Sequence, residues 1–184
     1  YLTQISNDER FVGPLEDIMG DKPILMEEKL NYKQPLDYKI EGFNTDRHGD
    51  NFPIHNDWAY FKANGYPQEI LSSAISMDDC NINSGPIYVW PGSHKSHLEH
   101  EHAVPRGLQV KEGLIDKDAG VPVIAKAGSV MIFHSLLVHS SSENISGKPR
   151  RLMIYSHYPK SANMGFDQRN GRARLRESPY ELEY

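Results

Sequence analysis

The stretch Gly128-Ser129-Val130-Met131-Ile132-Phe133-His134-Ser135-Leu136-Leu137-Val138-His139 opens on a turn glycine, runs through β-branched, aromatic and aliphatic residues, and closes on a histidine. No 3.6-residue periodicity passes through it, so it predicts a largely buried β-strand. Working outward, Ile70 to Met77, Pro86 to Trp90, Val121 to Ala125 and Arg151 to Tyr158 have the same character. Pro23 to Lys33 reads as a further strand, with apolar residues interspersed among charges. Ser84-Gly85 and Pro91-Gly92 supply turns between such runs. A set of short strands with so little helix predicts a mainly β sandwich, barrel or jelly roll.

The remainder is punctuation around this set. A short helix is expected around Leu15 to Met19, ended by Gly20, and Asp37 to Asn51 reads as a polar loop. His94 to Lys117 is a charged excursion broken by Pro105 and Gly107, and its His97, His100 and His102 read as a solvated loop beside Glu99 and Glu101. The tail from Ser161 to Tyr184 carries Arg169, Arg172, Arg174 and Arg176 with few apolar residues and reads as a short helix or a solvated segment.

The totals narrow the function classes. A chain of 184 residues suits a single domain over 1–184. A net charge of −5 provides no broad basic field for phosphates, which argues against nucleic acid and for a small-molecule substrate. Cys80 is the only cysteine, so an intramolecular disulfide is excluded and a cytoplasmic, reducing setting is expected. Neither a membrane-length apolar run nor the layout of a signal peptide is present. Oligomeric state is not legible.

The chemistry rests on histidine and aspartate. Two neutral imidazoles and one carboxylate on one face of a metal suit Fe(II) with open positions, and their sequence trace is His-x-Asp followed much later by a histidine. Residues i and i+2 of a strand project to the same side, which explains the first spacing. The trace occurs twice. His48-Gly49-Asp50 sits among Asp46, Arg47 and Asn51, whereas His55-Asn56-Asp57 lies between Phe52-Pro53-Ile54 and Trp58-Ala59-Tyr60-Phe61. Ligands belong on packed, rigid elements, which favours His55 and Asp57. His134 and His139 both qualify as third ligand; an odd separation puts them on opposite faces of a regular strand, and local pattern does not choose.

Taken together, these segments resemble the phytanoyl-CoA dioxygenase family, including its ectoine hydroxylase branch, over most of the chain. Lys29-Leu30-Asn31-Tyr32-Lys33 looks like the end of the strand ahead of the iron motif, and His55-Asn56-Asp57 with Trp58 to Phe61 looks like the motif itself. Asn83-Ser84-Gly85-Pro86 and Trp90-Pro91-Gly92-Ser93-His94-Lys95 are similar to the family's Asn-Gly-Pro and Pro-Gly-Ser-His segments, with Ser84 inserted in the first. Gly128 to His134, His139, Ser140, Ser141, Asn144 and Arg150 resemble its distal-histidine strand and following arginine. Family members carry more sequence ahead of the first matched strand, so N-terminal elements are expected to be missing from this chain.

The resemblance implies a double-stranded β-helix, the cupin-like jelly roll, with a few short helices. It implies an Fe(II)- and 2-oxoglutarate-dependent dioxygenase that hydroxylates an unactivated C–H bond of a small molecule with O2, releasing succinate and CO2. It makes His139 the third iron ligand beside His55 and Asp57, with His134 as a neighbour. Arg150, 11 residues after His139, then pairs with the distal carboxylate of the co-substrate, a task suited to a guanidinium fork. Ser141 matches a hydroxyl assisting that arginine, Asn31 a side chain near the co-substrate, and Phe61 part of the wall. Asp57 as carboxylate ligand favours hydroxylation or desaturation over halogenation, since related halogenases carry a small residue there. Two other classes compete: a non-catalytic jelly-roll binding module, and a cupin-like metal isomerase or hydrolase. Neither needs the dicarboxylate clamp of Arg150 and Ser141.

Overall fold

The computed structural model describes residues 2–35, 51–103 and 107–162. The His48–Asp50 pair, most of the Asp37–Asn51 loop and nearly all of the arginine-bearing tail lie outside the described residues. Two short helices come first, α1 (Leu2–Ser6) and α2 (Glu9–Met19). Strand β1 (Pro23–Lys33) pairs with β10 (Arg150–Pro159), which pairs in turn with β3 (Leu71–Ser76), and β3 with β8 (Val130–His134), all antiparallel. A second antiparallel sheet has the order β2 (Phe52–His55), β9 (His139–Ser141), β4 (Ile87–Val89) and β7 (Val121–Pro122). A hairpin of β5 (His100–His102) and β6 (Leu108–Val110) forms a separate two-stranded sheet packed against β2, and α3 (Trp58–Phe61) follows β2. This mainly β arrangement is the jelly roll expected of the double-stranded β-helix. No helix among the described residues is long and apolar enough to cross a membrane.

The run from Gly128 to His139 departs from expectation: it is two strands, one in each sheet. The Leu137 amide donates to the His134 carbonyl at 2.8 Å, and the Ser135 amide donates to Ile70 at 2.8 Å, so the chain turns and crosses between sheets. The turn contains neither glycine nor proline, and the apolar character of β8 continues through Leu136, Leu137 and Val138, so composition gives no signal of the break. His134 and His139 therefore do not share a strand, and the alternation argument between them does not apply.

Helix α2 is longer than its sequence suggested and accommodates Pro14. Asp8 caps it by accepting the Arg10 amide at 3.0 Å, and Gly20 closes it at φ 65°. Phe11 and Leu15, one turn apart, bury against Leu71, Met153 and Tyr155 on the outer face of the first sheet. Burial of two large side chains outweighs the local penalty of one proline. On β10 the outer set Met153, Tyr155 and His157 faces this layer, which leaves Arg150, Leu152 and Ile154 to face the space between the sheets.

His157 is 2% exposed, its ring lies 5.9 Å from that of Phe11, and its Nδ1 has no partner among the described residues. Burial pushes the imidazole from its ordinary 6.5 down to about 4. The unfolded chain takes up this proton as pH falls below about 6.5, while the folded chain resists it until about pH 4, so stability is full above that window and lost through it. His157→Leu is expected to remove on the order of 3 kcal/mol of that acid-side loss. Urea unfolding at pH 7 and pH 4.5 checks this: equal pH dependence in the two proteins would refute it.

Candidate metal centre

The register of β2 on β9 places His55 directly opposite His139. Between Phe52 and His55 the pairing slips, so that three steps on β2 match two on β9. Such a bulge re-aims a strand, and here it lets both Phe52 and His55 face the same interior despite their odd separation. The ring centroids of His55 and His139 are 4.4 Å apart. Each ring is fixed by the same device, Nδ1–H donating to the carbonyl two residues earlier: Pro53 at 2.7 Å for His55, Leu137 at 3.0 Å for His139. That tautomer leaves both Nε2 lone pairs bare.

Both Nε2 atoms lie 3.8 Å from Asp57 Oδ1. Together His55, Asp57 and His139 present ligand atoms within 4.8 Å of one another, the only such group found among the described residues. Burial, and secondarily the facing His139, push the His55 imidazole well below its ordinary value, which keeps it a neutral donor. Two imidazoles and one carboxylate suit a divalent metal with positions to spare. Asp57 is not on the strand, contrary to the alternation expected of it. β2 ends at His55, and Asp57 opens α3 with helical φ −63° and ψ −29°, its side chain capping no amide. The carboxylate is therefore free for other work, and Ser72 Oγ donates to its Oδ2 at 3.5 Å.

A cavity of about 100 Å3 between the sheets joins this group to a cationic end. His55, Asp57, His139, Ser141, Asn31 and Arg150 all line it. Arg150 is 2% exposed; its Nη2 donates to the Gly85 carbonyl, while Nε and Nη1 have no partner among the described residues. A guanidinium stays protonated even though burial lowers its pKa, so this wall holds a buried cation with donors to spare. Ile87, Arg150 and Leu152 also line a second, more apolar cavity of about 90 Å3 that none of the triad reaches.

Lys33, paired with Arg150 across β1 and β10, is 1% exposed and donates through Nζ to Ser141 Oγ at 2.8 Å and to the Ser142 carbonyl. Since the ammonium can only donate, the Ser141 hydroxyl keeps its own proton for another acceptor. Sequence reasoning passed over Lys33 and Gly85. The signal for Lys33 was present: Lys29, Asn31 and Lys33 alternate with Leu30 and Tyr32, and the polar set faces inward. Phe61 is not brought to the cavity; it packs with Met26 and Ile70, 5.6 Å from the Tyr66 ring. His134 stays outside the triad, its Nδ1 accepting the Leu136 amide at 3.1 Å. His97 and His100 do not form a solvated loop: both contact Asn56 within the His-x-Asp turn.

A family model described as phytanoyl-CoA dioxygenase (PhyH) matches residues 2–152. The ectoine dioxygenase of Halomonas elongata is 28% identical over 167 residues, covering 81% of this chain and 47% of that protein. That of Bordetella bronchiseptica is 26% identical over 182 residues, 88% of this chain and 55% of that one. The chain thus spans about half the length of these curated relatives. Among solved structures, EctD from S. alaskensis with 2-oxoglutarate and 5-hydroxyectoine superposes with a TM-score of 0.68 at 21% identity, over 94% of this chain and 57% of that one. That likeness supports the fold.

Gly85 is the tightest point of the cationic end. It sits at φ +72°, and a Cβ there would lie 2.6 Å from Lys33 Cδ and 2.7 Å from the Ser142 carbonyl. Gly85→Ala combines a disfavoured backbone conformation with displacement of Lys33 and of the acceptor for Arg150, and is expected to cost at least about 2 kcal/mol. Thermal denaturation measures it; a melting temperature within a degree of wild type would contradict the packing described.

Proposed function

The chain belongs to the phytanoyl-CoA dioxygenase family, and from that premise we propose that it is an Fe(II)- and 2-oxoglutarate-dependent dioxygenase that hydroxylates a small molecule. The observation that carries this reading is the buried Arg150 with two unpartnered nitrogens on the wall of the cavity that the triad lines. A buried cation with unused donors is costly unless an anion meets it. A metal isomerase or hydrolase has no use for such a group, and a binding module has no use for the triad.

In this reading His55, Asp57 and His139 hold the iron, and Arg150 with the Ser141 hydroxyl receives the distal carboxylate of 2-oxoglutarate. Asn31, half-buried on β1, borders the same ligand. Bound Fe(II) and 2-oxoglutarate supply the activation of O2, so that a substrate C–H bond becomes C–OH while 2-oxoglutarate becomes succinate and CO2. The chain's own contribution is placement and exclusion. Neutral imidazoles leave one carboxylate to offset part of the metal's charge, Lys33 keeps Ser141 a donor, and Phe133, Ile87, Leu152 and Ile154 keep the cavity largely dry. The relatives' name favours a small polar substrate, with ectoine the first to test.

Anaerobic addition of Fe(II) and 2-oxoglutarate is expected to give a visible charge-transfer band. His55→Ala should abolish it. Arg150→Ala should leave metal binding intact and weaken 2-oxoglutarate by roughly 100-fold, the loss of a charge-assisted pair. Intact protein that gives no band would sink the oxygenase reading.

A further inference from the structure

We propose that His100 is a positioning residue for the metal-binding turn: it accepts the backbone N–H of Asn56 and so fixes His55 and Asp57 relative to each other. The proposal rests on the metal reading of His55, Asp57 and His139. It assigns work to His97 and His100 in the excursion between His94 and Lys117, histidines that the sequence presents as part of a solvated loop.

The starting point is backbone accounting. β2 ends at His55 and α3 begins at Trp58, so the Asn56 N–H belongs to neither ladder. Asn56 is fully buried, and a buried amide requires an acceptor. His100 Nε2 is that acceptor, at 3.1 Å. Its availability is dictated from the other side of the ring. His100 Nδ1 lies 2.8 Å from the Leu98 carbonyl, which can only accept, so the proton sits on Nδ1 and Nε2 is a bare lone pair. This is the arrangement of His55 on Pro53 and of His139 on Leu137. Three histidines are oriented by the carbonyl two residues back; two turn Nε2 toward Asp57, and the third turns it to the amide lying between the two ligands contributed by this turn.

The rest of Asn56 is held as firmly. Its Oδ1 accepts the Ala59 amide at 3.1 Å, tying it to α3, and its Nδ2 lies 3.4 Å from His97 Nδ1. The His97 ring stacks on that of His100 at 5.3 Å and 8°, which fixes the plane of the acceptor, and Lys62 Nζ meets its far nitrogen at 3.0 Å. The β5–β6 hairpin carrying His100 is itself anchored. Tyr60 Oη accepts the Leu108 amide at 2.7 Å, while the Tyr60 ring stands edge-on to His55 at 5.6 Å. Val110 packs with Trp90 and Val138, and with the half-buried Ile54. The hairpin is therefore a clasp closed on the short segment that supplies two of the three ligands.

The test uses the full chain and Co(II) as probe, with affinity read by competition with a chromophoric chelator and site geometry read from the visible d–d spectrum. His100→Leu removes the acceptor and is expected to weaken Co(II) by about tenfold, at the low end of losses around metal ligands, and to alter the spectrum. His100→Asn, too short to reach the Asn56 amide, should behave alike. His100→Gln, whose Oε1 falls near the position of Nε2, should restore affinity and spectrum. Wild-type affinity and spectrum in both His100→Leu and His100→Asn, or a His100→Gln as impaired as they are, overturns the proposal. Failure of the wild-type chain itself to bind Co(II) overturns the metal reading, and this inference with it. Melting temperatures of the metal-free variants separate a lost position from a lost fold: a loss of affinity that only follows a loss of fold counts against the proposal.

Discussion

The site depends on the pairing that sets His55 opposite His139. Side chains in a strand alternate, so a slip of one residue between β2 and β9 would turn one imidazole outward and leave no pair. Two features hold that register. The bulge between Phe52 and His55 absorbs the mismatch between an odd spacing on β2 and an even one on β9, and the β5–β6 hairpin closes on the far side of β2. Four residues of strand would be a weak platform alone. Clamped between β9 and the hairpin, they can carry a ligand geometry that tolerates little movement.

That geometry reverses the usual layout of a β sandwich. Along β1 Lys29 and Asn31 line the cavity, Lys29 with its side chain 49% exposed, while Leu30 and Tyr32 point away from it at 56% and 44% exposure. Lys33, Arg150, Ser141, Ser72, Ser156 and Asn56 are all buried. Apolar packing shares the interior through Phe133, Leu152, Ile87 and Ile154, and continues at α2 on the outer face of the first sheet and at the junction of the hairpin with β2. Polar side chains contribute little net stability when buried and cost much when unpaired. An interior organised this way is built to receive a charged ligand, and Arg150 is where the cost concentrates.

How much of this could be read from residues alone follows from the same physics. β1 was legible to its ends from apolar residues interspersed among charges, although a register shift between Leu25 and Glu27 interrupts its alternation. The break between β8 and β9 was not legible, since Ser135 to Val138 turns without glycine or proline, held by hydrogen bonds to Gln68 and Ile70 ahead of β3 and to Ser93. α2 outran its sequence signal because its stability comes from Phe11 and Leu15 meeting Tyr155, which is contributed from the other end of the chain. The ligand candidates His55, Asp57 and His139 do converge, but Asp57 does so from a helix start, so its spacing in the motif was read for a reason the structure does not bear out. His97 and His100 were set aside for their charged neighbours Glu99 and Glu101. Charge describes the outer face of that hairpin and says nothing of its inner one.

Two polar ties run from the first sheet across the cavity, one to the start of α3 and one to β9. At one end Ser72 of the first sheet donates to Asp57; at the other Lys33 of the first sheet donates to Ser141 of the second. Along β9, His139 serves the triad and Ser141 the cationic end, two residues and therefore about 7 Å apart. Arg150, Leu152 and Ile154 repeat the same step along β10, with the cation at one end and apolar side chains leading toward the triad. On the proposed reading, the triad would hold the metal that takes the keto acid end of the co-substrate, and Arg150 with Ser141 would receive its far carboxylate. Strand rise is a property of the backbone and does not depend on side chains. The cavity's length is therefore the feature least open to adjustment by substitution.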